Sequence, residues 1–235
     1  MAKSDALRQP ASPQVEALFD RVAPVYDELN QTLSLGLHRI WKRMAVLWSE
    51  AQTGDRVLDI CCGSGDVALL LAQQVGAAGQ VEGLDFSHQQ LAVARQRPQP
   101  DNITWVEGNA LDLPYAEGSF DAATMSYGLR NLSDIPRALA ELRRVLKPDK
   151  KAAILDFHRP RSIPMQQFQR WYLHQVVVPT AERLGLRDEY AYLEPSIARF
   201  PQGPQQVRLA IAAGFSHAVH YPIAAGMMGV LVVKH

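Results

Sequence analysis

A glycine turn and a nearby acidic residue form the first group of residues that could do chemistry. The stretch "VLDICCGSGDVA" places Gly63 and Gly65 between a predicted strand and a predicted helix, and Asp85 ends the next strand. Glycines let the chain turn tightly and let a ligand approach the backbone, and the carboxylate can bind both hydroxyls of a ribose. The pattern fits two nucleoside cofactors, NAD and S-adenosylmethionine.

A second carboxylate favours S-adenosylmethionine. Asp59 lies inside the first predicted strand, ahead of Gly63. The sulfonium cofactor carries a cationic ammonium that this carboxylate can help to hold, whereas the pyrophosphate of NAD has no such group. The chain also lacks a Tyr-x-x-x-Lys pair, which a short-chain reductase would need for proton transfer. Methyl transfer is the favoured chemistry; the alternatives are a nicotinamide reductase and a subunit that binds the cofactor without catalysis.

The composition narrows the partners and the location. Lys plus Arg and Asp plus Glu both number 24, so no basic excess is present to hold a nucleic acid. The two cysteines, Cys61 and Cys62, are adjacent and cannot tie distant segments together, which favours a reducing compartment and a role as small buried fillers. No signal peptide and no apolar run of about 18 residues is recognisable. We expect a cytoplasmic protein, either soluble or peripheral on a membrane surface.

The elements that must position these residues alternate between strand and helix from about Asp55. Short apolar runs predict five buried strands, separated by segments of helix length: "RVLDI", "QVEGLDF", "NITWVEG", "FDAATMS" and "KAAILDF". Such alternation predicts an α/β fold with a doubly wound, mostly parallel sheet. Two further runs, "HAVHYPI" and "MGVLVVKH", are joined only by "AAG", so they should be antiparallel neighbours. We expect seven strands, closed by one antiparallel edge strand.

Two segments fall outside this alternation. Residues 1–53 and 158–200 are helical in pattern, and the second follows the fifth strand directly. Segments at the carboxyl ends of parallel strands border the ligand crevice of such a sheet. We therefore predict a helical N-terminal lid, 1–53, and a cofactor-binding domain, 54–235, that carries a second lid at 158–200.

Seven blocks of sequence resemble one known family. They are "YDELNQTLSLGLHRIWKR", "VLDICCGSGD", "GLDFS", "GNALDLP", "TMSYGLRNL", "RVLKPDKKAAILDF" and "ARFPQGPQQVRLAIAAGF". Together, from about Phe19 to His235, they are similar to the C-methyltransferases of ubiquinone and menaquinone biosynthesis. The double cysteine and the "GMMGVLV" ending resemble the cyanobacterial and plastid branch, which methylates 2-phytyl-1,4-naphthoquinone in phylloquinone biosynthesis. The resemblance implies a Rossmann-like class I methyltransferase for a prenylated naphthoquinol; demethylmenaquinol and a ubiquinone precursor are alternative substrates.

The resemblance also implies the cofactor contacts. Ser64 should hydrogen-bond the amino acid end of S-adenosylmethionine, and Asp85 the ribose. Asn109 should reach the adenine edge while Ala110 leaves space for its face, and Ser126 should lie near the methionyl portion. The predicted cofactor site contains no metal and comprises Asp59, Gly63, Ser64, Gly65, Asp85, Phe86, Asn109, Ala110 and Ser126.

Methyl transfer to a ring carbon sets the remaining requirements. A quinone ring is electron-poor, so the substrate must be the reduced quinol, and loss of a phenolic proton makes the neighbouring carbon enolate-like. This chemistry needs a base, a cation near the developing oxyanion and an apolar pocket. Arg130 and Asn131 of "YGLRN" could hold the ring oxygen. The candidate bases are Asp27, His38 and His158; relatives of the ubiquinone branch often carry Ser where His158 stands.

The leader block should close over the substrate ring. We expect its polar residues to lie over the ring, namely Tyr26, Asp27, Asn30, His38 and Arg39, and its leucines to line the apolar part, namely Leu29, Leu33, Leu35 and Leu37. Taken singly, each polar residue is more simply a helix cap or a surface bond. Their joint presence favours the lid.

The second predicted lid carries an apolar stripe. The segment "MQQFQRWYLHQVVVP" places four residues on one helical face beside Trp171: Met165, Phe168, Tyr172 and Val176. Such a stripe usually belongs to a core. The lipid tail of the implied substrate makes membrane-surface contact the alternative.

Overall fold

One seven-stranded sheet forms the centre of the molecule. The computed structural model describes residues 20–21, 31, 34 and 36–235. The strands are β1 Arg56–Ile60, β2 Gln80–Asp85, β3 Ile103–Glu107, β4 Phe120–Ser126, β5 Leu146–Phe157, β6 His217–Ile223 and β7 Met228–Lys234. Their order is β3-β2-β1-β4-β5-β7-β6. β1 to β5 pair in parallel, and β7 is antiparallel to both of its neighbours.

Helices connect the strands and cover the sheet. They are α1 Leu37–Trp48, α2 Asp66–Val75, α3 His88–Gln96, α4 Ile135–Val145, α5 Ile163–Tyr172, α6 Val178–Glu182, α7 Arg187–Ala191, α8 Leu193–Arg199 and α9 Gly203–Ala212. A π-helical turn at Leu173–Val177 continues α5, and a short 3₁₀ turn, Leu129–Asn131, follows β4. Alternate β1 side chains separate the two faces: Leu58 packs with α4 and α9, and Val57 with α2.

The predicted fold is confirmed, with one correction to the strand order. The sequence predicts the antiparallel strand at the edge of the sheet, but the antiparallel strand β7 lies between β5 and β6. Its residues are almost all buried and apolar, which suits an interior strand. β6 buries only one of its residues, Ala218, and contains Pro222, which lacks a backbone N–H. The edge position therefore belongs to β6.

Trp105 of β3 packs over the glycine turn. A Cβ atom at Gly65 would lie 2.4 Å from the indole ring, and one at Gly83 of β2 would lie 2.5 Å from it. Gly65 also has a φ of 91°, in the region that favours glycine. The indole Nε1–H donates to Gln99 Oε1 at 2.7 Å, which fixes the ring. One tryptophan thus holds the turn and β2 together, and it requires glycine at both positions.

Candidate active site

A cleft opens at the carboxyl ends of β1 and β4, where the strand order reverses direction. It encloses about 990 Å³, including its open mouth. Eight of the nine predicted cofactor residues line it: Asp59, Gly63, Ser64, Asp85, Phe86, Asn109, Ala110 and Ser126. The ninth, Gly65, is the N-cap of α2. The structure thus brings these residues together, and their individual contacts with a cofactor stay predictions.

Backbone amides orient Asp85. The Gly63 N–H donates to Oδ2 at 2.8 Å, and the Ser87 N–H donates to Oδ1 at 2.9 Å. Burial raises the pKa of this carboxyl to about 6, against the opposing effect of the amides. A carboxylate can accept about four hydrogen bonds in all, so Asp85 keeps capacity for a ribose hydroxyl.

Asp59 is a buried carboxyl with one oxygen left for a ligand. Its Oδ1 accepts a hydrogen bond from Thr124 Oγ1 at 2.8 Å. Its Oδ2 is buried and accepts none from any residue that the structure describes. Burial raises the pKa of Asp59 to about 7, while Thr124 and the charge of Lys42 oppose that rise. A cationic ammonium in the cleft would supply the missing partner, so the residue fits the predicted amino acid end of S-adenosylmethionine.

Lys42 lies in the cleft and was not anticipated from the sequence. It is 5% exposed, and its Nζ donates to Asp66 Oδ2 at 2.7 Å. The Nζ also lies 5.9 Å from the centroid of the Tyr127 ring. Helical periodicity could have predicted its burial, because Lys42 lies on the same face of α1 as the buried residues Ala45 and Val46. A cation on the buried face of a helix is a candidate ligand contact.

Ser126 and Asn131 bring further polar atoms to the cleft wall. The Ser126 Oγ and the Asn131 Oδ1 are buried and have no hydrogen-bond partner within the described part of the chain. The Asn131 Nδ2 donates to the Tyr127 carbonyl at 3.1 Å, which fixes the amide. An orphaned buried acceptor costs free energy unless a ligand satisfies it. Asn131 Oδ1 is therefore suited to a hydroxyl group of a ligand.

Arg130 does not line the cleft, although it was predicted to hold the ring oxygen. Its Nη1 donates to Asp156 Oδ1 at 2.7 Å and to the Tyr127 carbonyl at 2.6 Å. Its backbone N–H donates to Asp156 Oδ2 at 3.0 Å, and both side chains are buried. The guanidinium also lies 5.1 Å from the Phe157 ring centroid. The Arg130 guanidinium thus forms its ion pair with Asp156, and Arg130 braces the turn that carries Asn131.

His158 is buried away from the cleft lining, and its predicted role as a base stays a prediction. Its Nδ1–H donates to the Asp156 carbonyl at 3.1 Å. Its Nε2 lies 2.7 Å from Gln206 Nε2 and 2.9 Å from His220 Nε2, and its single lone pair can accept from one of these donors at a time. The ring is 4% exposed, lies outside the cleft lining and has a pKa lowered by burial. Both nitrogens are occupied in joining β5, β6 and α9.

This histidine pair predicts a pH-dependent stability. Burial lowers the pKa of His220 from 6.5 to about 4, and the charges of His158 and Arg161 add to the effect. Between pH 6.5 and 4, His220 is therefore protonated in the unfolded chain but mostly neutral in the folded chain. The free energy of unfolding decreases as the pH falls through this range. Because His220 is only partly buried, solvent screening reduces the full effect, and over that range wild type should lose about 2 kcal/mol more than His220→Gln in urea titrations.

A neighbouring residue serves as the control for that prediction. His217 also lies on β6, but it is exposed. His217→Gln should therefore keep the wild-type slope of unfolding free energy against pH. Identical slopes for wild type and His220→Gln would contradict the assignment.

The leader is only partly described. Tyr26, Asp27 and Asn30, with Leu29, Leu33 and Leu35, lie outside the described residues. His38 is buried on α1, with its Nδ1 2.7 Å from Ser34 Oγ, and it does not line the cleft. Leu37 is 46% exposed, and Arg39 is exposed as well. Among the leader residues that the structure describes, Lys42, one helical turn beyond His38, lines the cleft.

Cys61 and Cys62 also line the cleft. Cys62 is buried, as expected of a filler, whereas Cys61 is partly exposed and has a φ of 56°. Burial raises the pKa of both thiols well above their usual range, so both stay protonated and poorly nucleophilic.

The apolar stripe of the second predicted lid is only partly buried. α5 buries none of its residues, and Phe168 and Trp171 are 45% and 55% exposed. Met165, Tyr172 and Val176 of the stripe are half-buried, and Tyr172 packs against a buried cluster, so the stripe is neither full core nor fully exposed. In the described segments, no helix combines the length and the apolar character needed to cross a bilayer. The same residues contain no cluster of His, Cys, Asp and Glu suited to a metal ion.

Comparisons with known proteins agree with the predicted class. A protein of Nostoc sp., "2-phytyl-1,4-naphtoquinone methyltransferase", is 60% identical over 94% of this chain and 98% of its own. The chloroplastic 2-phytyl-1,4-beta-naphthoquinone methyltransferase of Arabidopsis thaliana is 52% identical over 92% and 85%. A solved structure from Thermotoga maritima, a methyltransferase dependent on S-adenosylmethionine, aligns with a TM-score of 0.66 at 20% identity over 93% and 98% of the two chains.

A family model extends this agreement to nearly the whole chain. The model of the ubiE/COQ5 methyltransferase family matches residues 7–234. The family expected from the seven sequence blocks is thereby confirmed. The cleft residues fit S-adenosylmethionine as co-substrate, since Asp59 and Asp85 offer acceptors for its ammonium and ribose. The chain belongs to the ubiE/COQ5 methyltransferase family and is an enzyme that uses S-adenosylmethionine.

Proposed function

We propose that this protein methylates a ring carbon of 2-phytyl-1,4-naphthoquinol in phylloquinone biosynthesis. The observation that carries the proposal is the cleft. It is lined both by the buried acceptors Asp59 and Asp85 and by Asn131, whose amide oxygen has no hydrogen-bond partner among the described residues. The curated relatives at 52% and 60% identity bear the name of a 2-phytyl-naphthoquinone methyltransferase, which supports this substrate over the menaquinone and ubiquinone alternatives.

The chain's residues have separable roles in this reaction. S-adenosylmethionine, when bound, supplies a methyl group on a cationic sulfonium. Asp59 and Asp85 hold its ammonium and ribose, Asn109 and Ala110 accept its adenine, and Ser126 lies beside its methionyl portion. Asn131 Oδ1 accepts a hydrogen bond from a ring hydroxyl and orients the quinol. Arg130 acts through Asp156 and the 3₁₀ turn to hold Asn131 in place.

The redox state of the ring provides the test. Attack on a methyl group needs electron density at the carbon beside a phenolic oxygen, and only the two-electron-reduced ring supplies it. Purified protein with radiolabelled S-adenosylmethionine should methylate 2-phytyl-1,4-naphthoquinone in the presence of dithionite and leave the oxidised form unchanged. Equal labelling of both forms would refute the quinol mechanism.

The same assay separates the alternative functions. A cofactor-binding subunit would bind S-adenosylmethionine saturably and transfer no label to any quinol. A nicotinamide reductase would instead bind NADH tightly in a parallel titration. Faster labelling of a demethylmenaquinol than of the phytyl substrate would favour the alternative substrate.

We further propose that α5 docks on an anionic membrane surface to collect the lipid substrate. Ile163, Phe168 and Trp171 are 68%, 45% and 55% exposed, and exposed Arg159 and Arg161 precede the helix. Such a combination of apolar and basic groups fits the interface of anionic lipids. Aromatic rings link this face to the cleft: Phe168 lies 6.1 Å from Tyr172, whose cluster includes Phe157. Phe157 in turn lies 5.3 Å from Tyr127 of the cleft wall.

Substitution of the α5 face should remove membrane binding. Phe168→Ser with Trp171→Ser should abolish flotation with vesicles that contain phosphatidylglycerol, because the burial of two aromatic rings is lost. Ile211→Ser serves as the control, since Ile211 on α9 is 48% exposed and far from α5 in the chain. Undiminished flotation of the double variant would exclude α5 as the docking surface.

A further inference from the structure

We propose that Lys42 binds the carboxylate at the amino acid end of S-adenosylmethionine. Asp59 would bind the ammonium of the same amino acid end. Lys42 and Asp59 both line the cleft, and both are at least 95% buried. An α-amino acid end carries its ammonium and carboxylate on one carbon. A buried cation and a buried anion in the same cleft therefore match the two charges of one zwitterion.

The leader helix places this cation by ordinary packing. α1 packs against β4, β5 and α2, with Ala45 and Val46 fully or almost fully buried. Lys42 lies on the same face one turn earlier, so its ammonium extends to the glycine turn beside Ser64 and Asp66. The centroid of the Tyr127 ring lies 5.9 Å from Nζ, within the range of a cation–π interaction. The charge is thus held at the cleft wall rather than in solvent.

Lys42 has donors to spare. An ammonium has three N–H groups. Within the described part of the chain, Lys42 uses one of them, in its hydrogen bond to Asp66 Oδ2. Two donors therefore remain for the oxygens of a ligand carboxylate.

Asp66 has a second cation of its own. Arg97 Nη1 donates to Asp66 Oδ1 at 2.6 Å and to the Ser64 carbonyl at 3.0 Å. Burial raises the pKa of Asp66, but Lys42 and Arg97 together bring it down to about 2. Arg97 can therefore keep Asp66 ionised and fixed when Lys42 turns towards a ligand. The same redundancy makes a Lys42 variant feasible, because Asp66 would not lose its last partner.

Ligands that differ at the amino acid end provide a direct test by calorimetry. Lys42→Met, which keeps the apolar stem, should weaken S-adenosylhomocysteine binding about 10- to 100-fold, the scale for a hydrogen-bonded charge. Binding of decarboxylated S-adenosylmethionine and of 5′-methylthioadenosine, which both lack the carboxylate, should not change. Lys42→Arg should recover part of the loss. Arg43→Met is the matched control, since Arg43 is the next residue on α1 and is exposed.

The outcomes separate recognition from folding. Equal loss of affinity for all three ligands would overturn the proposal, because a collapsed cleft does not distinguish a carboxylate. Unchanged affinity for S-adenosylhomocysteine in Lys42→Met would overturn it as well. Far-ultraviolet circular dichroism of each variant establishes that the fold is retained. No quinol is present in these titrations, so a failure of the proposed methyl transfer to naphthoquinol would leave this result unaffected.

Discussion

Replacement of Arg130 by alanine should lower the free energy of unfolding by about 3–5 kcal/mol, the cost of leaving one partner of a buried ion pair without the other. Asp156 is 1% exposed, and Arg130 is its partner through both the side chain and the backbone N–H. The backbone donor survives the substitution, but the guanidinium charge does not. The carboxylate would then be buried with no cation to balance it.

Urea titrations of three variants measure this effect. Arg130→Met combined with Asp156→Asn should recover much of the stability, because neither charge remains. Arg170→Ala is the control, since the Arg170 and Glu194 pair is largely exposed and should contribute less than about 1 kcal/mol. A loss below 1 kcal/mol in Arg130→Ala would contradict the structural role.

The same variants test the predicted oxyanion contact of Arg130. If the guanidinium only braces the turn, the stable double variant should recover kcat along with stability. If it also stabilises the developing oxyanion, kcat should stay about 10²-fold low while cofactor affinity remains normal. Comparison of kcat with cofactor affinity in the double variant therefore decides between the two roles.

Asp59→Asn should weaken S-adenosylhomocysteine binding about 10- to 100-fold at pH 8, because the ammonium loses a charged acceptor. In wild type the affinity should also depend on pH. The raised pKa of Asp59, about 7, means that the carboxyl is protonated below that value and no longer attracts a cation. Affinity should therefore fall as the pH drops from 7 to 6, by up to about tenfold.

Calorimetry at pH 8, 7 and 6 checks both parts of this prediction. Asp59→Asn should show a flat affinity between pH 7 and 6, where wild type declines. Below about pH 6 the protonation of Asp85 should reduce affinity in both proteins. An acid decline of equal size in wild type and variant between pH 7 and 6 would assign the titration to another group. 5′-Methylthioadenosine, which has no ammonium, should show no such difference.

The parts of the fold that depend on local pattern could be predicted from the sequence. The strands over "RVLDI" and "FDAATMS" have the predicted bounds, because buried parallel strands are short apolar runs between polar turns. Asp59, the glycine turn and Asp85 followed from the strand-to-helix pattern, because the ends of parallel strands meet at one edge of the sheet. The other cleft residues, Ser64, Asn109, Ala110 and Ser126, were implied by the resemblance to the family.

The remaining features depend on contacts between distant residues. The pairing of Arg130 with Asp156 joins the end of β4 to the end of β5, and His158 is enclosed by Gln206 and His220 from later elements. A single sequence contains no sign of which charge will meet which. β7 lies inside the sheet because its residues are more apolar and more fully buried than those of β6. The hairpin pattern in the sequence does not indicate which of its two strands pairs with β5.

The contact of Trp105 with Gly83 imposes an order on the mutations that this fold can accept during evolution. Gly83 has an ordinary backbone conformation, so what excludes a side chain there is the indole ring, 2.5 Å from where a Cβ would lie. Alanine at position 83 becomes acceptable only after Trp105 has become smaller. Relatives should therefore carry glycine at this site together with a large aromatic residue on β3, and lineages that lost the ring first should be free to lose the glycine.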